Sequence, residues 1–202
     1  MTGPRIPMVD PDSFDPELRQ ALADRPDDEL GHFRIYAHLP DATRAFLTFL
    51  ETVRLESKLP PRTIELLRLR LAYLNQCPHC IAGRDPAAVA AGMSEDMVCS
   101  LETPGAPSDL TPSERAAVRY ANLLATDHLA ITDALYAGLR EHFSDAQIVA
   151  LGYLAGVFLA MQRVTSSWAI TEGLPDEYRN TEPGNYSLAF GSVAYRTGVT
   201  AE

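Results

Sequence analysis

The sequence has little positive charge: 17 Lys and Arg residues stand against 27 Asp and Glu residues, and the formal charge is −10. No run of Lys or Arg is long enough to form the basic patch that nucleic acids or anionic membranes attract. Hydrophobic residues make up 46% of the 202 residues, which is typical of soluble globular proteins. We therefore expect neither a nucleic acid nor a membrane as partner, and one domain or two small halves sharing a core.

Long apolar segments are also scarce. Residues 1–7 lack the apolar centre of a secretory signal peptide. The longest nearly uninterrupted apolar run, residues 148–161, is shorter than the roughly 18–20 residues of a membrane span, so it predicts a buried core helix. We expect a cytoplasmic protein, and in a reducing compartment a CxxC pair is more often catalytic or metal-binding than a structural disulfide.

No segment alternates with a period of two, so the sequence predicts no convincing strand and an all-α fold. Helix start signals are clear at Asp15, Thr111 and Ser144, and Gly92 suits the position after a helix end. The predicted helices cover residues 16–23, 43–53, 62–74, 77–91, 111–126, 132–142 and 145–161, the last with a continuation towards 170.

The chain divides into an acidic arm (residues 1–30), a helical domain (31–180) and a C-terminal tail (181–202). Both halves of the domain contain a short amphipathic helix followed by a long one. The second half therefore repeats the scaffold of the first without its cysteine pair.

The residues best suited to chemistry surround Cys77-Pro78-His79-Cys80. Pro78 suits the first position of a helix, which places Cys77 at the N-cap and Cys80 at N3. Both sulfurs would then lie at the positive end of a helix, which lowers a thiol pKa from about 8.5. Arg84, four residues after Cys80, would add a positive charge on the same helix face. The pair is therefore suited to nucleophilic attack and to a reversible disulfide.

Glu65 lies twelve residues before Cys77, and together with Cys-x-His-Cys it resembles the active-site signature of alkylhydroperoxidase D (AhpD) and its relatives. Further segments resemble the wider carboxymuconolactone decarboxylase family, and the likeness covers roughly residues 30–175. These segments are residues 33–40, 59–66, 91–96, 110–116 and 143–146. The resemblance implies an AhpD-like fold built from two similar helical halves.

The resemblance also implies roles for individual residues. Cys80 would attack a peroxide, Cys77 would resolve the product, and Glu65 and His79 would belong to the proton relay. The family has a histidine four residues after the second cysteine, where this chain has Arg84. Arginine can stabilise a thiolate but cannot carry a proton.

By the same resemblance, the substrate is a small hydroperoxide or a disulfide, and the reductant is a dithiol or a thioredoxin-like protein. No cofactor or metal is implied. Relatives are typically trimers or hexamers, so we expect a homo-oligomer in which the tail, with Tyr186, Leu188, Phe190 and Tyr195, wraps a neighbour.

Other interpretations of these residues stay open. The cysteines could be inert buried thiols or metal ligands, although a zinc site needs four ligands and no second CxxC or HxxxH exists. Glu65 could be a helix N-terminal charge, and Arg84 could form an ion pair with Glu65 or Asp85. Cys99 has no partner in the sequence and is interpreted as a small buried hydrophobic residue.

Two rival functions also remain. The first is a cofactor-free lyase or decarboxylase acting on a small lactone or keto acid, as the family name implies. It would use Glu65, His79 and Arg84 as acid, base and carboxylate anchor, and would not need two cysteines. The second is a non-catalytic oligomeric scaffold.

Overall fold

A computed structural model describes residues 3–23, 25, 30–103, 105, 109–191 and 193–194. The described residues are mainly helical, and two-residue strands β1 (Gly83–Arg84) and β2 (Val193–Ala194) pair in parallel. The helices are α1 (Pro16–Ala21), α2 (Phe33–Tyr36), α3 (Pro40–Ser57), α4 (Pro61–Leu74), α5 (Pro78–Ala82), α6 (Pro86–Ala90), α7 (Glu95–Ser100), α8 (Pro112–Thr126), α9 (Asp133–Arg140), α10 (Asp145–Ser167) and α11 (Asp176–Arg179), with 3₁₀ turns at Pro11–Ser13 and His128–Ala130. The predicted all-α class is confirmed.

The predicted helix starts are also confirmed. The Asp15 carboxylate accepts two backbone N–H groups at the start of α1. Helix α8 begins with a capping box between Thr111 and Glu114, and α10 begins with one between Ser144 and Gln147. Each cap satisfies backbone donors that have no partner inside the helix.

The prediction of one long helix from the cysteine pair to residue 91 is wrong. Helix α5 ends at Ala82, and α6 begins at Pro86, with Asp85 as its N-cap. Pro86 lacks an N–H donor and disfavours helical geometry at the preceding residue, so the chain passes through β1 before a new helix starts. Gly92 follows the end of α6 with a φ of +86°, as predicted for a residue in that position.

Helix α4 lies at the centre of the domain and is buried on nearly every side. One face packs with α8 and α10, and the opposite face packs with α5, α6, α7 and the C-terminal segment. Its fully buried apolar residues are Leu66, Leu67, Leu69, Leu71 and Ala72. Because such a helix has little room to move, it holds the polar side chains that it carries in fixed positions.

Helix α10 is longer than the apolar run that predicted it. It has 23 residues and is long and apolar enough to cross a membrane by length and composition, a test that a buried core helix also passes. Its residues Ile148, Leu151 and Leu154 are buried among α3, α4 and α8. The predicted role as a core helix is therefore confirmed.

Part of the C-terminal tail packs on its own subunit. Tyr186 and Leu188 are buried in the core formed with α4 and α5, and the Tyr186 N–H donates to Gln76 Oε1 over 2.8 Å. These two side chains are therefore covered by their own chain, and the wrapping of a neighbour by the tail stays a prediction. Tyr195 lies outside the described residues.

Candidate functional site

Cys77 and Cys80 form a disulfide, with their Cα atoms 5.2 Å apart. Their predicted positions at the N-cap and at N3 of a helix are confirmed. The helix has five residues, however, so its dipole is much weaker than that of the long helix predicted. Cys77 is fully buried, whereas Cys80 is partly exposed and lies on the wall of a cavity of about 520 Å³.

This cavity lies among α1, α2, α3, α4 and α10. Its volume falls within the range of small-molecule binding sites, and its wall combines apolar and aromatic side chains with charged and polar ones. The main apolar contributors are Leu22, Phe33, Tyr36, Phe46, Leu47, Leu50 and Phe158. Cys80 therefore faces a cavity with both apolar and polar walls.

Glu65 is 1% exposed and forms an ion pair with Arg68, one turn later on α4. The guanidinium donates hydrogen bonds of 2.6 and 2.7 Å to the two carboxylate oxygens, and the Asp85 N–H donates a third over 2.9 Å. Burial alone would raise the pKa of Glu65, but the charge and hydrogen bonds of Arg68 and the Asp85 N–H outweigh it, so the pKa is lowered. Glu65 is thus a carboxylate at neutral pH, which suits it to holding Arg68 rather than to carrying protons.

Arg68 connects this ion pair to the cysteine segment. Its guanidinium also donates to the backbone carbonyl of Cys80 over 2.6 Å and to that of Gly83 over 2.8 Å. Arg68 was not among the predicted site residues, although its spacing of three from Glu65 on a predicted helix could have indicated the pair. Through Arg68, the buried carboxylate fixes the backbone on which Cys80 lies.

Two imidazoles line the cavity beside Cys80. His79 is 4% exposed, and burial lowers its pKa to about 4. His32 precedes α2, and its ring centroid lies 6.2 Å from that of His79. Its pKa is well below the ordinary value, mainly because the ring is desolvated and also because nearby groups carry positive charge. Both rings are therefore neutral near pH 7. Sequence analysis missed His32 because no spacing rule relates positions 32 and 79.

Gly31 allows the His79 ring to pack closely. Gly31 has a φ of +40°, and a Cβ built there would lie 2.8 Å from His79 Cε1. A larger residue at this position would strain the backbone and displace the imidazole.

Arg84 is not on a helix face with Cys80, because it belongs to β1. Its guanidinium pairs with Glu95 through two hydrogen bonds of 2.9 Å and donates to the Leu188 carbonyl over 3.2 Å. Arg84 therefore forms an ion pair, as one interpretation of the sequence held, but its partner is Glu95 and neither Glu65 nor Asp85. The side chain is 2% exposed and borders the cavity, and its contacts hold the C-terminal segment against the cysteine segment.

These contacts change what a substitution at position 84 should do. From the sequence, Arg84→His restores the family histidine and should raise hydroperoxide turnover. In the structure, histidine is too short to replace the bonds to Glu95 and to the buried carbonyls. We expect Arg84→His to lower the free energy of unfolding by on the order of 2–3 kcal/mol in urea titrations, and not to raise turnover.

Glu95→Gln is the control for this substitution: it removes the counter-charge of the buried Arg84 but keeps the guanidinium and its hydrogen bonds to backbone carbonyls, so it should lower stability less than Arg84→His does. A stable Arg84→His protein with faster turnover would show instead that position 84 serves the chemistry.

Cys99 is partly exposed rather than buried. Desolvation and the neighbouring carboxylates Glu95 and Glu102 raise its pKa, so the thiol is protonated near pH 7. Within the described ranges, no group of three His, Cys, Asp or Glu side chains could hold a metal ion.

The fold matches solved structures of AhpD-like proteins. The alkylhydroperoxidase AhpD core of an uncharacterized peroxidase-related protein from Ralstonia eutropha JMP134 gives a TM-score of 0.72 at 20% identity, covering 88% of this chain and 95% of the other. An uncharacterized peroxidase-related protein from Silicibacter sp. TM1040 gives 0.64 at 23% identity, covering 90% and 98%. An Agrobacterium tumefaciens protein described as a putative antioxidant defence protein AhpD gives 0.52 at 26% identity, covering 64% and 88%. The protein is thus an all-helical protein with the AhpD-like fold.

The sequence supports the same assignment more specifically. The model of the carboxymuconolactone decarboxylase family matches residues 40–123, which include Glu65 and the cysteine pair. Over these residues the match supports the resemblance to this family that the motifs predicted. An uncharacterized protein found in two strains of Mycobacterium tuberculosis is 35% identical over 119 residues, or 57% of this chain. The chain spans 41% of the length of these curated relatives.

Proposed function

We propose that the protein is a thiol oxidoreductase that reduces organic hydroperoxides and exchanges disulfides through Cys80 and Cys77. The observation that carries this proposal is the unequal exposure of the two sulfurs. Cys77 is fully buried, whereas Cys80 lies on the cavity wall, so only Cys80 can meet a substrate. The AhpD-like fold and the antioxidant role suggested for the Agrobacterium protein support the same chemistry.

The proposed reaction has three steps. The Cys80 thiolate attacks the hydroperoxide, the O–O bond breaks, and the products are a Cys80 sulfenic acid and an alkoxide that takes up a proton to become an alcohol. The Cys77 thiol then attacks the sulfenic acid, which releases water and forms the disulfide. A dithiol, either a small molecule or a thioredoxin-like protein, attacks the accessible Cys80 sulfur and regenerates both thiols.

The neutral imidazoles of His32 and His79 are the proposed proton carriers. A neutral ring can relay the proton of the Cys80 thiol to the departing alkoxide without forming a free imidazolium, which its lowered pKa disfavours. His32 would then supply the imidazole that the family provides four residues after the second cysteine. His32 itself precedes the segment that matches the family model, which covers residues 40–123.

A single-turnover experiment tests the proposal without requiring the natural reductant. Fully reduced protein has three thiols, and one equivalent of cumene hydroperoxide near pH 7 should leave one. Mass spectrometry should then locate a Cys77–Cys80 disulfide, a free Cys99, and one equivalent of cumyl alcohol. Three remaining thiols after prolonged incubation would contradict the proposal.

We also propose that the protein acts as a cytoplasmic homo-oligomer. An exposed apolar surface supports the oligomer. The side chains of Val149, Tyr153 and Val164 on α10 are each more than 40% exposed, and the Tyr153 ring packs near that of Phe49 on α3. Apolar surface of this kind is typical of protein–protein contacts.

A further inference from the structure

Among the described residues of the cavity wall, two polar atoms are buried and have no hydrogen-bond partner. They are Nδ1 of His32, beside the cysteine segment, and Nε of Arg54, on α3. Buried polar groups in proteins are nearly always paired, so a donor or acceptor left open in a cavity indicates the position of a ligand group. Together they indicate a ligand with polar groups at two separate points.

The wall of this cavity is largely apolar. Phe46, Leu47 and Leu50 of α3 contribute to it on the helix that carries Arg54, and Phe33 contributes beside His32. A cavity of about 520 Å³ is much larger than hydrogen peroxide or a short alkyl hydroperoxide requires. The ligand should therefore have a long apolar body.

The charge at Arg54 indicates an anionic end. Oδ2 of Asp85 lies 3.5 Å from Nη1, at the limit of a hydrogen bond, and the other oxygen of Asp85 accepts the Ala87 N–H. The Glu65 carboxylate also interacts with the charge of Arg54, but its hydrogen bonds go to Arg68 and to the Asp85 N–H. Glu51, one turn earlier, is exposed, and no ion pair joins it to Arg54 in the part of the chain that the structure describes. Nε of Arg54 thus remains available to donate to a carboxylate.

We propose that this cavity binds a long-chain monocarboxylate and that the substrate of the protein is a fatty-acid hydroperoxide. The carboxylate binds Arg54, the hydrocarbon chain packs on the apolar wall, and the hydroperoxide lies between Cys80 and His32. The carboxylate is unchanged in the reaction. The hydroperoxide is reduced to a hydroxy acid, water is released, and the thiols of Cys77 and Cys80 are oxidised to a disulfide. Because this is the reaction proposed above, the substrate assignment rests on the proposed function.

Binding is tested first, with a ligand that cannot react. Oxidised protein is titrated with linoleate and with linoleyl alcohol, each below its aggregation limit, by calorimetry. Arg54→Gln should weaken linoleate binding roughly tenfold to hundredfold, since one charge-assisted contact is lost, and should leave alcohol binding unchanged. Arg54→Lys should restore most of the linoleate affinity, and Arg163→Gln, an exposed arginine of α10 outside the cavity, should have no effect.

A second variant keeps the test valid if Arg54→Gln does not fold. Leu50→Trp fills the apolar part of the cavity without removing a charge, so it should weaken the binding of linoleate and of linoleyl alcohol alike. Linoleate affinity that neither variant changes, or no linoleate binding at all, would overturn the proposal.

Turnover distinguishes this proposal from the proposed function. With the 13-hydroperoxide of linoleic acid, Arg54→Gln should raise KM roughly tenfold, while KM for uncharged cumene hydroperoxide stays constant. Rapid cumene hydroperoxide reduction without linoleate binding would overturn the fatty-acid proposal and leave the oxidoreductase in place. Linoleate binding governed by Arg54, with no thiol oxidation by any hydroperoxide, would overturn the proposed function and with it the substrate assignment.

Discussion

Cys80→Ser is expected to lower hydroperoxide turnover by on the order of 10³-fold or more and to abolish disulfide exchange, because a hydroxyl cannot replace the thiolate nucleophile. Among the described residues that line the cavity, Cys80 carries the only thiol. Met161 also lines it, but a thioether forms no disulfide. The measurement is consumption of cumene hydroperoxide with excess dithiothreitol as the reductant. Cys99→Ser is the matched control and should keep full turnover.

Cys77→Ser should separate the first step from the second. Cys80 would still be oxidised by one equivalent of hydroperoxide, but the sulfenic acid would persist because no resolving thiol is present, and dimedone should trap it. A dimedone adduct on Cys77 in the Cys80→Ser protein would show that the roles of the two cysteines are reversed. The two variants also address the lyase alternative, which predicts normal turnover of a lactone or keto acid in both.

Sequence predicted those parts of the fold that depend on local signals. The caps at Asp15, Thr111 and Ser144 act over three or four residues, and each helix began where its cap indicated. The break after Ala82 was not predicted, although Asp85-Pro86 is itself a local helix start signal.

Long-range contacts account for most of what the sequence could not predict about the site. β1 exists because residues 193–194 lie beside it, more than a hundred positions away in the chain. His32 reaches the cavity from the segment before α3, and Arg84 finds its partner on α7, a helix that was not predicted. Local patterns identified the two cysteines and the family resemblance identified Glu65, whereas the fold decided which cations and imidazoles surround them.

Glu65→Gln is expected to lower the free energy of unfolding by about 3–5 kcal/mol, because it leaves the Arg68 guanidinium largely buried without its counter-charge. The effect should be measured by urea unfolding at pH 7. We also expect it to increase the mobility of the Cys80 segment, since the Glu65 carboxylate pairs with the same guanidinium that donates to the Cys80 carbonyl.

The pH dependence of this ion pair has a definite sign. The pKa of Glu65 is lowered in the folded protein from an ordinary value of 4.5. The stability that the pair contributes is therefore fully present above that ordinary value and is lost as the pH falls through the lowered pKa. The stability difference between the natural protein and Glu65→Gln should accordingly be constant from pH 6 to 8 and decrease in acid below about pH 4.5.

Glu114→Gln is the matched control, because Glu114 is a second carboxylate paired with an arginine of α4, Arg62, and lies outside the cavity. Both variants should lose stability, but only Glu65→Gln should alter the rate at which hydroperoxide oxidises Cys80 in the folded protein. If Glu65 holds Arg68 in place, that rate should fall by a similar factor at every pH between 6 and 8, because the carboxylate is ionised throughout. The contrary result would be a Glu65→Gln protein of unchanged stability in which a pH-dependent step in the Cys80 oxidation rate between pH 6 and 8 is missing. That result would show that Glu65 carries a proton in the reaction.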